Sequence, residues 1–157
     1  MKIIIPHHGF GAILFGTTRQ EVAKALGQEP KRGKRNQYDV SDYDYFESEG
    51  FFAYYDAAER CCALEFSGES HILYEGYELF AHPALAVREW ARQRDPDLES
   101  KDGFVSRALG LCMYAPLIDE PDLDDDEKQD PAQSFLVFRP GAYDEDRQRI
   151  EGVRSSE

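Results

Sequence analysis

Short stretches of alternating residues, separated by turns, dominate the first half of the sequence. Residues 61–66 alternate cleanly, with apolar side chains such as Phe66 on one face and Glu65 among those on the other. This pattern predicts a half-buried antiparallel strand. Residues 41–47 and 51–56 precede it across short turns, so the three stretches predict an antiparallel meander. Further strands are predicted at residues 71–74, 104–107, 109–114 and 135–139.

Two helices are predicted from their end signals. In residues 18–21 a threonine and a glutamate have the spacing of a capping box, which predicts a helix over residues 18–26 that Gly27 ends. Pro83 occupies the first position of a second helix, where its missing N–H is tolerated. That helix continues at helical spacing to the break at residues 95–96.

The segments around the two helices resemble each other, which is the signature of an internal repeat. Val22 in the first helix matches Val87 in the second at the same spacing from the preceding segment. Chance similarity between short amphipathic segments is the alternative explanation. The matched segments are residues 14–16 with 79–81, 50–54 with 110–114, and 64–66 with 136–138.

The repeat predicts an α+β fold in which two helix-then-antiparallel-meander repeats pack into one domain, residues 1–157. The repeat units comprise about residues 10–76 and 77–145. The second unit contains an acidic insertion at residues 119–130, and a flexible tail follows at about 146–157.

The balance of charges restricts the class of partner. Asp and Glu number 31 against 18 Lys and Arg, which gives a formal net charge of -13. Such a field repels nucleic acid and anionic lipid and attracts basic proteins. The basic residues of 31–35 are predicted to form a solvated loop. We therefore expect a basic protein partner and no nucleic-acid or membrane partner.

The cysteines and the apolar stretches predict the cellular compartment of the protein. The apolar stretch within residues 1–6 is too short for an export signal, and no stretch approaches the length that crosses a bilayer. Three cysteines are an odd number, and two of them are adjacent, so no fully paired disulfide framework is possible. The sequence predicts a cytoplasmic protein with reduced thiols.

Two segments are candidate partner-binding sites. Residues 119–130 hold eight acidic residues and one lysine, and they are either an electrostatic lure for a basic surface or a solvated insertion. In residues 42–45 the two tyrosines share one face of a strand and the two aspartates share the other. The tyrosines either bind the partner or pack into the core. The candidate residues are Asp42, Tyr43, Asp44, Tyr45, Asp119, Glu120, Asp122, Asp124, Asp125, Asp126 and Glu127.

Signals for catalysis, metals and cofactors are weak. His7 and His8 are adjacent and diverge on an extended segment, so we predict no metal site. Ser67 lacks the first glycine of a nucleophile elbow. No cofactor motif is found, because the glycines of residues 9–16 lack the lysine and hydroxyl residue of a P-loop. A small hydrolase or enzyme accessory that uses His7, His8 or His71 is an alternative, and an acidic mimic of nucleic acid is another.

The residues between 10 and 145 also carry a family resemblance. Residues 14–16 lead into a short helix that ends at residues 26–30, which resembles the modules of beta-lactamase-inhibitor-like folds. Residues 103–111 and 138–144 are similar to segments of small bacterial immunity proteins. The resemblance implies a protein-binding inhibitor with no catalytic residues. Together with the strong acidity, it leads us to expect an immunity protein that neutralises a cognate bacterial toxin by occluding a basic surface.

Overall fold

A computed structural model describes residues 2–35, 37 and 41–142 of the chain. The strands in this part are β1 (Lys2–Ile5), β2 (Gly9–Phe10), β3 (Ile13–Leu14), β4 (Lys31–Gly33), β5 (Tyr43–Phe46), β6 (Phe51–Tyr55), β7 (Cys61–Ser67), β8 (Ile72–Tyr74), β9 (Tyr77–Glu78), β10 (Gly103–Ser106), β11 (Leu111–Tyr114) and β12 (Ser134–Phe138). The helices are α1 (Arg19–Leu26) and α2 (Ala84–Arg94), with 3-10 turns at Leu79–Ala81 and Glu127–Gln129.

The larger sheet has seven antiparallel strands in the order β10-β11-β12-β7-β6-β5-β4. The predicted meander is confirmed in β5, β6 and β7, which are consecutive neighbours in this sheet. The pairing of β7 with β12 places Leu64 opposite Val137 and joins the two halves of the sheet.

The smaller sheet has five strands in the order β3-β2-β1-β8-β9. Its centre is a parallel pair, β1 with β8, in which Ile3 lies opposite Leu73. Parallel strands need a long connection. Here the chain between them forms β2, β3, α1 and four strands of the larger sheet.

The helices and the smaller sheet pack against one face of the larger sheet. Val22 of α1 and Val87 of α2 are fully buried in this core, together with Ile4 and Ile72 of the smaller sheet. The larger sheet contributes fully buried side chains from alternate positions, such as Phe66. The described residues therefore form two layers, and the opposite face of the larger sheet is called the outer face below. This outer face has a smaller buried cluster of its own, which consists of Tyr54, Cys62, Ala63, Phe138 and Ala142.

The ends of α1 are those that the sequence predicts. The Thr18 side chain accepts a hydrogen bond from the Glu21 N–H at 3.3 Å, and Gly27 ends the helix with a φ of 64°. A left-handed residue at this position is the common end of a helix, and glycine adopts it without strain. The predicted second helix is confirmed as α2.

The predicted fold of two helix-then-antiparallel-meander repeats is wrong. The protein is mostly β, with two sheets and only two α-helices in the described part of the chain. Strands from both sides of the proposed boundary near residue 76 form one sheet, and β1, which precedes the first proposed repeat, pairs with β8 in a second sheet that the repeats do not predict. The matched segments share the alternation of any half-buried strand, so their likeness does not require a repeat. The proposed tail, 146–157, lies outside the described residues.

Candidate partner-binding surface

The outer face of the larger sheet has a continuous row of side chains that the strand registers align. Each member lies directly opposite the next on the neighbouring strand, so the row crosses all seven strands. All of its members are half-buried except Lys31 at the edge, which is exposed. We call this set the central row: Val105, Cys112, Leu136, Glu65, Phe52, Tyr45 and Lys31.

Aromatic rings form one half of the outer face. The ring of Phe52 lies 4.5 Å from that of Tyr45 and 5.1 Å from that of Tyr43, measured between centroids. Tyr54 extends the cluster at 6.3 Å from Phe52, and the guanidinium of Arg35 lies 4.1 Å above the Tyr54 ring. Tyr54 is buried, and the other three rings are half-buried. Cross-strand aromatic pairs stabilise a sheet, and tyrosine and phenylalanine side chains are enriched in protein interfaces. This half of the face is therefore both structural and suited to binding.

The other half of the outer face contains a pocket of about 360 Å³. Val105, Cys112 and Leu136 of the central row line it, and Tyr114, which is 49% exposed, forms part of its wall. Glu65 brings a carboxylate to this otherwise apolar floor. The pocket is adjacent to the aromatic half because Glu65 lies directly opposite Phe52.

A buried charge network determines which side of β5 faces outwards. Asp44 is fully buried on the core side, where its carboxylate accepts hydrogen bonds from Arg19 at 2.8 Å, from Tyr55 at 2.9 Å and from Arg32 at 3.2 Å. Burial, reinforced by the Asp44 carboxylate, raises the pKa of the Tyr55 phenol, so this hydroxyl stays protonated and donates. Because the side chains of a strand alternate, fixing Asp44 inwards turns Tyr43 outwards.

Arg19 links this network to the loop after β6. Its guanidinium also donates to the Glu59 carboxylate at 2.8 Å and to the Asp42 carbonyl at 2.8 Å, and it lies 4.1 Å above the Tyr55 ring. The bond from Arg19 holds the pKa of the Glu59 carboxyl below its usual value. Two arginines and two carboxylates therefore balance each other at the N-terminus of α1, next to β5.

The predicted partner-binding residues at 42–45 do not all lie on the same side of β5. Tyr43 and Tyr45 lie on the outer face, half-buried, which favours the binding interpretation of the tyrosines over burial in the core. Asp42 is half-buried, and its carboxylate lies 3.6 Å from the Lys34 ammonium. Asp44 lies instead on the core side, where its side chain has no exposed surface and its carboxylate accepts from three internal donors.

The acidic segment, residues 119–130, is held against α2 at both ends. The Asp119 carboxylate accepts from Arg88 at 2.7 Å, and the Asp130 carbonyl accepts from the Ala84 N–H at 2.9 Å. Since α2 packs on the core side of the larger sheet, the structure does not bring this segment together with the tyrosines of the outer face.

Inside the acidic segment, side chains cap a 3-10 turn. The Glu127 N–H donates to the Asp124 carboxylate at 2.7 Å, and the Asp124 N–H donates to the Glu127 carboxylate at 3.3 Å. Reciprocal capping of this kind orders the turn. The other predicted residues of the segment are exposed, and they are Glu120, Asp122, Asp125 and Asp126.

The three histidines that a hydrolase or enzyme accessory would use, His7, His8 and His71, lie in or next to the smaller sheet. His71 pairs with Glu78, with 2.9 Å between the ring Nδ1 and the carboxylate, and both are on the solvent side. His7 and His8 form the turn between β1 and β2, where His7 packs beside Gly110. In the described chain, no group of three or more His, Cys, Asp or Glu side chains is placed to hold a metal ion.

The thiols are held in unreactive surroundings. Burial raises the pKa of Cys112 to about 12, and it raises the pKa of Cys61 further. A thiol reacts as the thiolate, so both residues are protonated and weakly nucleophilic at neutral pH. Both serve as small packing residues of the larger sheet.

The smaller sheet exposes a second apolar surface on the side away from the core. Its side chains are Ile3, which is 63% exposed, Ile5 at 41% and Leu14 at 44%. This aliphatic surface lacks the aromatic rings of the outer face, and it provides a matched control for experiments on that face.

Within the part of the chain that the structure describes, no helix has the length and apolar composition required to cross a membrane. Comparisons of the chain with models of protein families, with curated proteins and with solved structures find no match.

Proposed function

We propose that this protein is a non-catalytic inhibitor that binds a basic protein through its outer face, and that the partner is a bacterial toxin to which it gives immunity. The observation that carries the proposal is the partly exposed aromatic cluster on the outer face, in which Tyr43, Tyr45 and Phe52 are half-buried. Tyrosine and phenylalanine are enriched in protein interfaces, and aromatic anchors provide much of the binding energy there. An inhibitor of this kind acts by covering the partner's functional surface.

The charge distribution supports a basic partner. The net charge of -13 generates a field that reaches beyond the contact surface. Residues 119–130, whose carboxylates are mostly exposed, are held to α2 at Asp119 and Asp130, away from the outer face. They therefore attract the partner at long range while the outer face forms the contact.

Replacing Asp124, Asp125 and Asp126 by asparagine should lower the association rate and leave the dissociation rate unchanged. Long-range attraction acts before contact and is screened beyond about 8 Å at physiological salt. Association kinetics at several salt concentrations measure this, and the wild-type rate should fall as salt rises. A large rise in the dissociation rate would instead place this segment inside the contact and contradict the division of roles.

The outer face itself is tested with paired variants in affinity capture from the source cell. The variant Tyr45→Ser with Phe52→Ser removes aromatic surface from the outer face, and the control Ile3→Ser with Leu14→Ser removes exposed aliphatic surface from the smaller sheet. We expect the first variant to lose at least about tenfold in affinity for the captured protein, since central aromatic residues are typical hot spots. The control should bind like the wild type.

The identity of the captured protein completes the test. It should be basic, and it should be toxic to a host that lacks this protein and harmless when the two are co-expressed. Capture of a protein that both variants bind equally, or of one whose activity is unaffected by binding, would contradict the proposed inhibition through the outer face.

A further inference from the structure

The pocket on the outer face combines an apolar floor with negative charge. Its volume of about 360 Å³ lies near the lower end of the range for ligand pockets, about 300 to 1,000 Å³, and suits a single side chain. Val105 and Leu136 provide aliphatic surface, and Tyr114 provides an exposed ring. The charged lining residues are three carboxylates and one lysine: Glu65, Glu99, Asp102 and Lys101.

Glu65 is fixed in position before any partner arrives. One of its carboxylate oxygens accepts from the Tyr54 hydroxyl at 2.6 Å, and the other accepts from the Ser134 hydroxyl at 3.2 Å. Its directly opposite neighbours on the two adjoining strands are Phe52 and Leu136. The two bonds hold the carboxylate on the sheet and leave further lone pairs available, since an ionised carboxylate accepts about four bonds.

Glu65 forms no ion pair in the described part of the chain. The lysine of the pocket lining, Lys101, forms no ion pair with Glu65 there, and the nearby Arg107 pairs with another carboxylate. Arg107 contacts Glu99 at 3.1 Å. A carboxylate in half-buried apolar surroundings is stabilised by a cation within hydrogen-bond distance. The pocket therefore favours a positively charged side chain supplied from outside.

We propose that the pocket binds the side chain of an arginine from the partner protein, with its guanidinium at Glu65. This inference rests on the proposed function, because it names the partner group that the outer face recognises. Arginine fits better than lysine, since its planar guanidinium can stack on an aromatic ring such as Tyr114 and donate two parallel bonds to one carboxylate. Its aliphatic stem would lie along Leu136 and Val105.

The direct test titrates the full-length ¹⁵N-labelled protein with N-acetyl-arginine amide and follows backbone amide shifts. The control ligand is N-acetyl-citrulline amide, which has nearly the same shape and no charge. We expect saturable shifts centred on Glu65, Cys112 and Leu136 with the arginine ligand and none with the citrulline ligand. No saturable shift, equal shifts with both ligands, or shifts centred on residues 119–130 would overturn the proposal. Equal binding of N-acetyl-lysine amide would overturn the assignment to arginine.

Two variants remove one negative charge each and so separate local from long-range effects. Glu65→Gln keeps an acceptor for the Tyr54 hydroxyl but loses the charge, and Glu69→Gln removes an exposed charge in the turn after β7. Affinity for the arginine ligand should fall about tenfold in the first variant, the usual loss for a charged hydrogen bond, and stay unchanged in the second. An equal loss in both variants would show a non-specific charge effect and overturn the proposal.

The same variants distinguish failure of this inference from failure of the proposed function. If the captured partner loses affinity for Tyr45→Ser with Phe52→Ser but binds Glu65→Gln like the wild type, the outer face binds the partner and the arginine pocket is wrong. If the partner binds all of these variants like the wild type, the proposed function fails as well.

Discussion

Replacing Phe51 by alanine should lower the free energy of unfolding by about 3–5 kcal/mol, the usual loss for a fully buried phenylalanine. Phe51 has no exposed surface, and its ring contacts those of Phe10, Phe46 and Phe66 at centroid distances of 5.3, 5.5 and 5.7 Å. Removing the ring leaves a cavity between the two layers, which the surrounding strands cannot fill without breaking their registers.

The adjacent phenylalanine is the matched control for this substitution. Phe52 lies on the outer face and is half-buried, so Phe52→Ala leaves no enclosed cavity. It should lower the free energy of unfolding by only about 0.8–1.5 kcal/mol, half the transfer free energy of a fully buried side chain. Urea unfolding followed by circular dichroism measures both variants. Similar losses at the two positions would mean that the two faces of β6 are equally buried, and the outer face would then not be a surface.

Replacing Asp44 by asparagine should lower the free energy of unfolding by about 3 kcal/mol, the lower end of the range for breaking a buried ion pair. The change leaves the charges of Arg19 and Arg32 without their shared carboxylate. The loss stays at the lower end because Arg19 keeps its bond to Glu59. Asp42→Asn removes the same charge from a half-exposed side chain and should change stability by less than about 1 kcal/mol.

A double replacement checks the physical reason for the Asp44 result. Apolar residues of similar volume can replace a buried ion pair with little loss. We therefore expect Arg19→Met combined with Asp44→Leu to be more stable than Asp44→Asn alone in the same urea experiment. If Asp44→Asn unfolds like the wild type, Asp44 is solvated, and the inward orientation of this side of β5 is wrong.

Local patterns in the sequence predicted several elements because the interactions that form them are local. The alternation of residues 61–66 corresponds to β7, and the threonine at position 18 caps α1 as its spacing indicates. The arrangement of these elements could not be derived in the same way. The parallel pair of β1 and β8 and the antiparallel pair of β7 and β12 join segments that are distant in sequence, and alternation does not specify a partner strand.

The orientation of β5 shows why the candidate site was only partly predictable. In residues 42–45 both faces of the strand carry hydrophilic groups, so alternation alone does not indicate which face is buried. Arg19, 25 residues earlier in the chain, binds Asp44 on the core side, which is also the side on which Phe46 is buried. The prediction that residues 31–35 form a loop is partly wrong, since they begin with the edge strand β4. Lys31 and Arg32 are charged, as is common in edge strands, so this segment lacks the apolar alternation that predicts a strand.

Other residues of the outer face carried a signal that sequence reasoning did not use. Glu65 is a charged residue inside an alternating apolar segment, and its directly opposite neighbours, Phe52 and Leu136, are known only from the strand registers. The sequence therefore showed a charged residue at position 65 between apolar residues. It could not show that the strand registers place this residue in a pocket.

Hydroxyl-radical footprinting of the protein, free and bound to its captured partner, tests the central claim most directly. The side chains of Tyr45, Phe52 and Tyr114 should be labelled in the free protein and protected in the complex, because the partner covers the outer face. Ile3 and Leu14 of the smaller sheet should be labelled equally in both states. Protection of Ile3 and Leu14 with unchanged labelling of the aromatic residues would contradict the claim that the outer face binds the partner.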